Sequence, residues 1–196
     1  MAKLYFRYGA MNCGKSTALM QVAHNYRERG MTAIIVKPYS DTKGGDRVVS
    51  RLGLERRVDL LVRSDDDVLR SLLEWEEKQG KPDCVLVDEA QFFSREQIDQ
   101  FFRYAVLHGV PVICYGLRTD FIMNGFPGST RLLEIAHSLE ELKTICRCGR
   151  KALVNARSID GRFVFEGDQV SIDGENAVEY EALCPVCYFA IQEENR

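Results

Sequence analysis

The sequence predicts an α/β protein in which a parallel sheet is flanked by helices and followed by a small β-rich appendage. Three observations carry this prediction: strand and helix patterns alternate from the N-terminus, a glycine-rich motif joins the first strand to the first helix, and short alternating segments replace this pattern near residue 144. Such alternation is typical of parallel sheets with helices on both faces. We therefore expect two units, residues 1–143 and residues 144–196.

The first strand and helix enclose the glycine-rich loop. The run KLYFRY precedes GAMNCGKST, and apolar residues at helical spacing follow as far as Gly30. The loop meets the pattern GxxxxGK(S/T) between a strand and a helix, which is the context that this phosphate-binding motif, the P-loop, requires. The sheet is therefore predicted to be P-loop NTPase-like.

The predicted chemistry of the loop follows from its residue types. Its glycines let successive N–H groups point at phosphate oxygens beside the positive end of a helix. Lys15 supplies charge to the β- and γ-phosphates, and Ser16 is placed to bind Mg²⁺. The loop residues predicted to bind nucleotide are Gly9, Ala10, Met11, Asn12, Cys13, Gly14, Lys15 and Ser16.

The next elements continue the alternation. TAIIVKP is predicted as a buried strand, and a polar, glycine-bearing segment without periodicity is predicted as a mobile loop near the phosphates. RVDLLV is a short strand. SDDDVLRSLLEWEEKQG is a helix with a Ser64/Asp67 capping pair and Gly80 beyond its end.

Two carboxylates end the strand DCVLVDEA. P-loop proteins commonly place at such a strand end the carboxylate that holds the Mg²⁺ hydration shell, so Asp88 joins Ser16 as a predicted magnesium residue. Neighbouring residues on a strand point opposite ways, which lets Glu89 face an acceptor and take its proton. The predicted nucleotide-binding set is completed by Asp88, Glu89, Ala90 and Gln91.

The last elements of the first unit are a helix and a strand. SREQIDQFFRYAVLHG opens with Ser94 and Gln97 as a capping box, and VPVICYGL is a buried strand. In the second unit, Asp160-Gly161 predicts a hairpin turn.

Composition narrows the function classes. The formal net charge of −3 provides no basic field for a nucleic-acid polymer, and no apolar run is long enough to span a membrane. Seven cysteines in such a chain fit a reducing compartment, so a cytoplasmic protein is expected. Cys13, Cys84 and Cys114 are isolated and are predicted to pack as small apolar residues.

The other four cysteines form two close pairs, CRC and CPVC. Paired thiolates suit tetrahedral Zn²⁺, and four ligands with no open position are typical of a structural site. The predicted zinc ligands are Cys146, Cys148, Cys184 and Cys187. Zinc would tie the base of the 149–183 loop, in a lobe too small to hold itself by its own core.

Six motifs together resemble the thymidine kinases of the zinc-containing P-loop class. They are, in chain order, GAMNCGKST, DEAQFF, YGLRTDF, FPGS, ICRCGRKA and YEALCPVCYF, and they span nearly the whole chain. The resemblance implies transfer of the γ-phosphoryl group of ATP, with Mg²⁺, to the 5′-hydroxyl of thymidine or deoxyuridine. It also implies a homotetramer, feedback inhibition by dTTP and a zinc-bound "lasso" that closes over the base.

The resemblance also assigns residues. Glu89 matches the family's general base, Asp88 its metal-associated carboxylate, Phe121 the aromatic residue that stacks on thymine, and Tyr180 a tyrosine near the nucleoside. The lasso contacts would come from Val170, Ser171, Ile172 and Asp173, although SIDGENAVEY departs from the family's usual Gly-Gly turn.

A second departure concerns a charge near the phosphates. The family's Asp-x-Arg reads Asp41-Thr42-Lys43 here, so the cation there would be Lys43, Arg47 or Arg51. Two other functions compete with a kinase: a P-loop ATPase in which Glu89 activates water, and a zinc-bearing nucleotide sensor without turnover.

Overall fold

The computed structural model describes residues 2–39, 45–49, 53, 55–169 and 177–195. In chain order the described strands are β1 (Leu4–Tyr8), β2 (Ala33–Pro38), β3 (Arg47–Val49), β4 (Glu55–Arg57), β5 (Leu60–Val62), β6 (Cys84–Val87), β7 (Val112–Gly116), β8 (Ser138–Glu141), β9 (Val154–Ile159), β10 (Arg162–Val164) and β11 (Val178–Leu183). The described α-helices are α1 (Lys15–Glu28), α2 (Val68–Gln79), α3 (Arg95–His108), α4 (Pro127–Ile135) and α5 (Pro185–Glu194).

The main sheet is parallel, as predicted. Its six described strands lie in the order β5-β2-β6-β7-β1-β8, and all five pairs of neighbours are parallel. The loops after β1, β6 and β7 therefore leave from one edge, where ligands bind in such sheets. β7 lies between β1 and β6, so the P-loop and the two carboxylates start about 10 Å apart.

Both faces of this sheet are buried. Ile34 and Val36 contribute to a core that includes residues of α2, α3 and α4, whereas Ala33 and Ile35 contribute to one that includes α1. Burial on two faces explains why β2 reads as a continuous apolar run and not as an alternating one. A sheet held from both sides gives its loops a rigid base.

The helix caps confirm one prediction and correct another. Ser94 and Gln97 form the predicted capping box of α3. The predicted Ser64/Asp67 pair is wrong, because α2 begins later: Asp67 itself is the N-cap, and its side chain accepts a hydrogen bond from the Arg70 N–H. The acidic run therefore precedes the helix, and its last member caps it.

The sequence patterns missed three features of the main domain. The segment predicted as a loop contains β3 and β4, which pair as an antiparallel ladder too short to show periodicity. α4 is a nine-residue helix beginning with proline, and β8 is a largely exposed edge strand. Short or exposed elements bury few residues, so the apolar pattern on which prediction depends is weak.

The second unit is β-rich, as predicted. β9 lies between β10 and β11 in an antiparallel sheet, and Asp160 and Gly161 turn the β9–β10 hairpin with positive φ values of 49° and 78°. Its small core also includes Ala10 of the P-loop, so the lobe packs directly on the phosphate-binding edge. The boundary between residues 143 and 144 stays a prediction.

Candidate active site

The P-loop backbone takes the conformations that its sequence allows. Asn12 and Gly14 have φ values of 66° and 84°, in the left-handed region that glycine and asparagine tolerate best. A Cβ at Gly9 would overlap the Leu142 carbonyl oxygen and the Cys13 sulfur, so only glycine fits there. The loop then enters α1 at Gly14, whose carbonyl accepts from the Ala18 N–H.

The side chain of Lys15 folds back onto the P-loop, where it is predicted to contact phosphates. Its Nζ donates to the Ala10 carbonyl at 2.9 Å and lies 3.6 Å from the Cys13 sulfur. The ammonium group is therefore held beside the N–H groups of the loop, where a phosphate would bring counter-charge.

The two carboxylates follow β6, but not by the predicted strand alternation. β6 ends at Val87, and Glu89 has a φ of 47°, so it lies in a left-handed turn and not on a strand. Asp88 is 5% exposed, and its N–H donates to the Val36 carbonyl at 2.9 Å. The turn, held by the neighbouring strand, sets where Glu89 stands relative to Asp88.

Gln91 connects Glu89 to the end of β7. Its Nε2 donates to Glu89 Oε2 at 2.5 Å, and its Oε1 accepts from the Leu117 N–H at 3.0 Å. The side chain is 1% exposed, so these contacts fix it in place. Gln91 was predicted to bind nucleotide; in the structure its amide orients the Glu89 carboxylate, and nucleotide contact stays a prediction.

A close packing contact supports the turn that carries Glu89. Ala90–Phe92 form a short 3₁₀ helix, and a Cβ on Gly128 in the first turn of α4 would overlap the carbonyl oxygens of Ala90 and Phe93. The FPGS motif therefore brings α4 against the base of the turn that carries Glu89. This close packing is enough to explain why FPGS contains a glycine, and no contact with a ligand is needed to explain it.

Asn155 joins the P-loop to the lobe, and sequence reasoning missed it. Its Oδ1 accepts from the Met11 N–H at 2.7 Å, while its Nδ2 donates to the Thr119 carbonyl at 3.2 Å. The residue is 3% exposed on β9. A polar residue within the alternating run KALVNARSI was the available signal, since a buried amide needs partners.

Arg157 lies beside both predicted nucleoside residues, Phe121 and Tyr180. Phe121 is 1% exposed, and its carbonyl accepts from the Tyr188 hydroxyl at 2.9 Å. The Arg157 guanidinium carbon lies 3.5 Å from the centroid of the Phe121 ring, and Arg157 pairs with Tyr180 across β9 and β11. Arg157 was not predicted.

Several predicted residues fall outside the described part of the chain. They are Val170, Ser171, Ile172, Asp173, Lys43 and Arg51. Arg47, the remaining candidate for the phosphate-side cation, lies on β3 and forms an exposed ion pair with Glu55 at 2.7 Å. Contact of any of these residues with a ligand stays a prediction.

The four clustered cysteines meet as predicted. The sulfurs of Cys146, Cys148, Cys184 and Cys187 all lie within 4.8 Å of one another. Tetrahedral Zn²⁺ with bonds of about 2.3 Å places sulfurs roughly 3.8 Å apart, close to the 3.6 Å between Cys148 and Cys184. The cluster therefore fits a structural zinc ion.

One of these thiols is prepared for metal binding by the backbone. The Cys187 N–H donates to the Cys184 sulfur at 3.5 Å and lowers the pKa of that thiol to about 6. By contrast, burial raises the pKa of Cys84 to about 12, and Cys114 is likewise raised by burial. The isolated Cys84 and Cys114 are completely buried, as predicted for packing residues.

No helix in the described ranges is both long and apolar enough to cross a membrane.

Comparison with known proteins places these features in a family. The family model described as "Thymidine kinase" matches residues 2–188. The thymidine kinase of Enterobacteria phage T4 is 46% identical over 94% of this chain and 94% of its own length. That of Legionella pneumophila strain Paris is 46% identical over 96% and 90%, and that of Rhodopirellula baltica is 47% identical over 94% and 86%.

A solved structure gives a weaker likeness. AMPPCP-bound DnaA from Aquifex aeolicus has 19% identity and a TM-score of 0.40, covering 72% of this chain and 40% of that chain. This value is too low to carry an argument about fold or function.

Proposed function

Since this chain belongs to the thymidine kinase family, we propose that its P-loop edge brings ATP to a thymidine hydroxyl that Glu89 deprotonates. The reaction class follows from the family: the chain is a nucleoside kinase that phosphorylates thymidine, giving dTMP and ADP. One observation supports the role of Glu89: Gln91 holds its carboxylate in the turn that follows β6. In the sheet, β6 lies two strands from β1, the strand that leads into the P-loop.

The proposed step is an in-line transfer. The 5′-oxygen of thymidine forms a bond to the γ-phosphorus while the bond from that phosphorus to the β,γ-bridging oxygen breaks, and ADP leaves. The hydroxyl proton passes to the Glu89 carboxylate. Positioning and electrostatic stabilisation by the P-loop amides and Lys15 supply most of the rate, because the protein forms no covalent intermediate.

Two metal ions accompany this proposal. Ser16 and Asp88 would hold Mg²⁺, which neutralises charge on the β- and γ-phosphates. Asp88 fits that role because it is a nearly buried carboxylate at the ligand edge of the sheet. Zinc on the four cysteines would hold the lobe without taking part in chemistry.

Dependence on thymidine distinguishes the kinase from its closest rival. A kinase releases ADP only as thymidine is phosphorylated, whereas an ATPase that uses Glu89 to activate water releases it without thymidine. The experiment measures ADP release with and without thymidine, together with direct detection of dTMP. Thymidine-independent ADP release with no dTMP would overturn the proposal.

Replacing the base tests the mechanism and the sensor alternative. Glu89→Gln should lower kcat about 10²- to 10⁴-fold, the usual range for general-base catalysis, with little change in ATP binding. Glu77→Gln, on the exposed face of α2, is the matched control and should keep full activity. A Glu89→Gln enzyme with wild-type kcat would exclude Glu89 as the base.

Further properties extend the proposal from the family. The enzyme would accept deoxyuridine beside thymidine, be inhibited by dTTP and form a homotetramer in the cytoplasm without nucleic-acid or membrane partners. Steady-state assays with deoxyuridine and the four deoxynucleosides of DNA, with and without dTTP, test the specificity and feedback, and light scattering gives the subunit number. A monomer unaffected by dTTP would contradict the oligomer and feedback parts alone.

A further inference from the structure

Arg157 was not among the residues predicted for the nucleoside site. It lies on β9, its backbone pairs with Tyr180 on β11, and its guanidinium covers the Phe121 ring at 3.5 Å. Both residues that the resemblance places near the nucleoside therefore adjoin this one arginine. It stands where a residue could set the shape of the base-binding surface.

The arginine also holds the loop that follows β10. Its two terminal nitrogens donate to the carbonyl oxygens of Asp168 and Glu166, at 2.9 and 3.4 Å. Gly167 has a φ of 122°, and a Cβ there would come within 2.7 Å of the arginine. The glycine therefore lets the backbone approach the guanidinium closely.

A second contact ties the same two segments together. Gln169 Nε2 donates to Asp120 Oδ2 at 3.1 Å, which links the loop after β10 to the segment containing Phe121. The loop at 166–169 leads directly to residues 170–173, the predicted lasso contacts. Arg157 and Gln169 thus join the aromatic residue to the segment that precedes the predicted base-reading backbone.

Stability alone does not account for this arginine. It is 4% exposed, pairs with no carboxylate in the described part of the chain, and its Nε has no hydrogen-bond partner there. Burying a polar donor without an acceptor is unfavourable, and such groups are few in native proteins. Arrangements that oppose stability are typically retained where function needs them.

We propose that Arg157 is a positioning residue of the nucleoside site, and this rests on the proposed function. Stacked against Phe121, it sets the plane of that ring; bonded to two carbonyls, it sets the position of the 166–169 loop. One rigid guanidinium thereby fixes both the Phe121 ring and the 166–169 backbone at the proposed nucleoside site. The cation acts through Phe121 and the loop.

Arg157→Met tests this role, because methionine fills similar space without charge or donors. We expect the KM for thymidine to rise roughly tenfold to hundredfold, a typical effect of misplaced binding groups, while the KM for ATP stays within about twofold. We expect Tm to change little, since removal of the unpartnered buried Nε offsets loss of the bonds to the carbonyls of Asp168 and Glu166, both of which are exposed residues. Arg162→Met, at an exposed position on β10, is the matched control and should change none of these values.

Two outcomes would overturn the proposal. One is an unchanged KM for thymidine in Arg157→Met; the other is a fall in Tm with both KM values raised, which indicates a purely structural role. Arg157→Lys keeps the charge but lacks the planar fork, so it should also raise the KM for thymidine, and it carries the test if the methionine variant does not fold.

Equilibrium binding separates this inference from the proposed function. Calorimetry with thymidine should show weaker binding to Arg157→Met than to Arg162→Met. If the wild-type chain released ADP without thymidine, the proposed function would fail in the turnover assay. If the wild type bound thymidine and both arginine variants bound it equally well, only the role of Arg157 would fail.

Discussion

The P-loop end and the β-rich lobe meet at one edge of the molecule but rest on different supports. The P-loop follows a strand of a six-stranded sheet whose two faces are covered by helices. In its described residues the lobe has three antiparallel strands, one short helix and a small core that includes two of the four clustered cysteines. A small core provides little stability, so polar bridges and a metal contribute more.

This difference explains how each region presents its chemistry. The main domain presents backbone amides and two carboxylates from strand ends that a large core keeps in place. The lobe presents side chains, chiefly Asn155 and Arg157 on β9, which reach back to the P-loop and to Phe121. We expect perturbations of the two regions to separate nucleotide handling from nucleoside handling.

Loss of zinc should have the largest effect, and it should act mainly on the lobe. Structural zinc supplies much of the folding free energy of small domains, on the order of 10 kcal/mol in isolated peptides. Chelation, or Cys184→Ser, should abolish zinc content, lower Tm and weaken thymidine binding more strongly than binding of a non-hydrolysable ATP analogue, which loses only the contacts of the lobe with Ala10 and Met11. Elemental analysis, thermal unfolding and calorimetry measure these quantities.

The pH dependence of zinc binding and a control variant make the zinc prediction more specific. The metal-free Cys184 thiol has a pKa lowered to about 6 and is already a thiolate at pH 7, whereas Cys187, with a pKa raised to about 12 by its neighbouring cysteines, must lose its proton to bind zinc, so acidification should weaken zinc binding. Cys114→Ala, outside the cluster, should keep full zinc content. Unchanged thymidine binding after complete removal of zinc would contradict the lobe's dependence on metal.

Lys15→Met should have the next largest effect, on the P-loop side. Removing a charged donor to the transferring phosphates should lower kcat/KM about 10²- to 10³-fold, or about 2.7–4 kcal/mol, without lowering Tm. Steady-state kinetics with varied ATP measure it, and Lys78→Met on the exposed end of α2 is the control. Wild-type turnover in Lys15→Met would show that the lysine does not contact the phosphates.

Asn155→Ala should weaken the join between the two regions. It leaves the Met11 N–H and the Thr119 carbonyl without their partner, at a cost of about 1–3 kcal/mol in the free energy of unfolding. Because the bridge reaches both sides, we expect KM to rise for ATP and for thymidine. Denaturant unfolding and kinetics check this; a change in only one KM would mean that the bridge serves one side.

Ser94→Ala should have the smallest effect and should not change the difference between the P-loop end and the lobe. It removes the capping box of α3, at a cost of about 1 kcal/mol, within the main domain and away from the P-loop. We expect a lower denaturation midpoint with both KM values unchanged. Altered thymidine affinity would show that stability of the main domain also governs the lobe.

The elements predicted well are those whose local signals agree with their surroundings. The strands at the centre of the sheet are short apolar runs because both faces are buried, and the α3 cap is contained within four residues. Ser64 was misassigned as a cap because Asp67, three residues later, caps equally well and tertiary packing decides where the helix begins. β3 and β4 have three residues each, too few to show a period.

The sequence by itself determined the phosphate-binding loop, the Asp88–Glu89 pair and the four cysteines. Each is a contiguous motif or a close pair whose residue types serve one chemistry, so spacing along the chain is enough to identify it. Membership of the family follows from the same motifs read together.

Only the tertiary structure decided which residues connect these parts. Asn155 meets Met11 across 144 positions of sequence, Arg157 meets Phe121 through a ring contact, and Gln91 joins Glu89 to the end of β7. Such contacts depend on how strands and lobe pack together, and a single sequence has no periodicity or spacing that records them. They form because buried polar groups must find partners, and folding determines which partners are near.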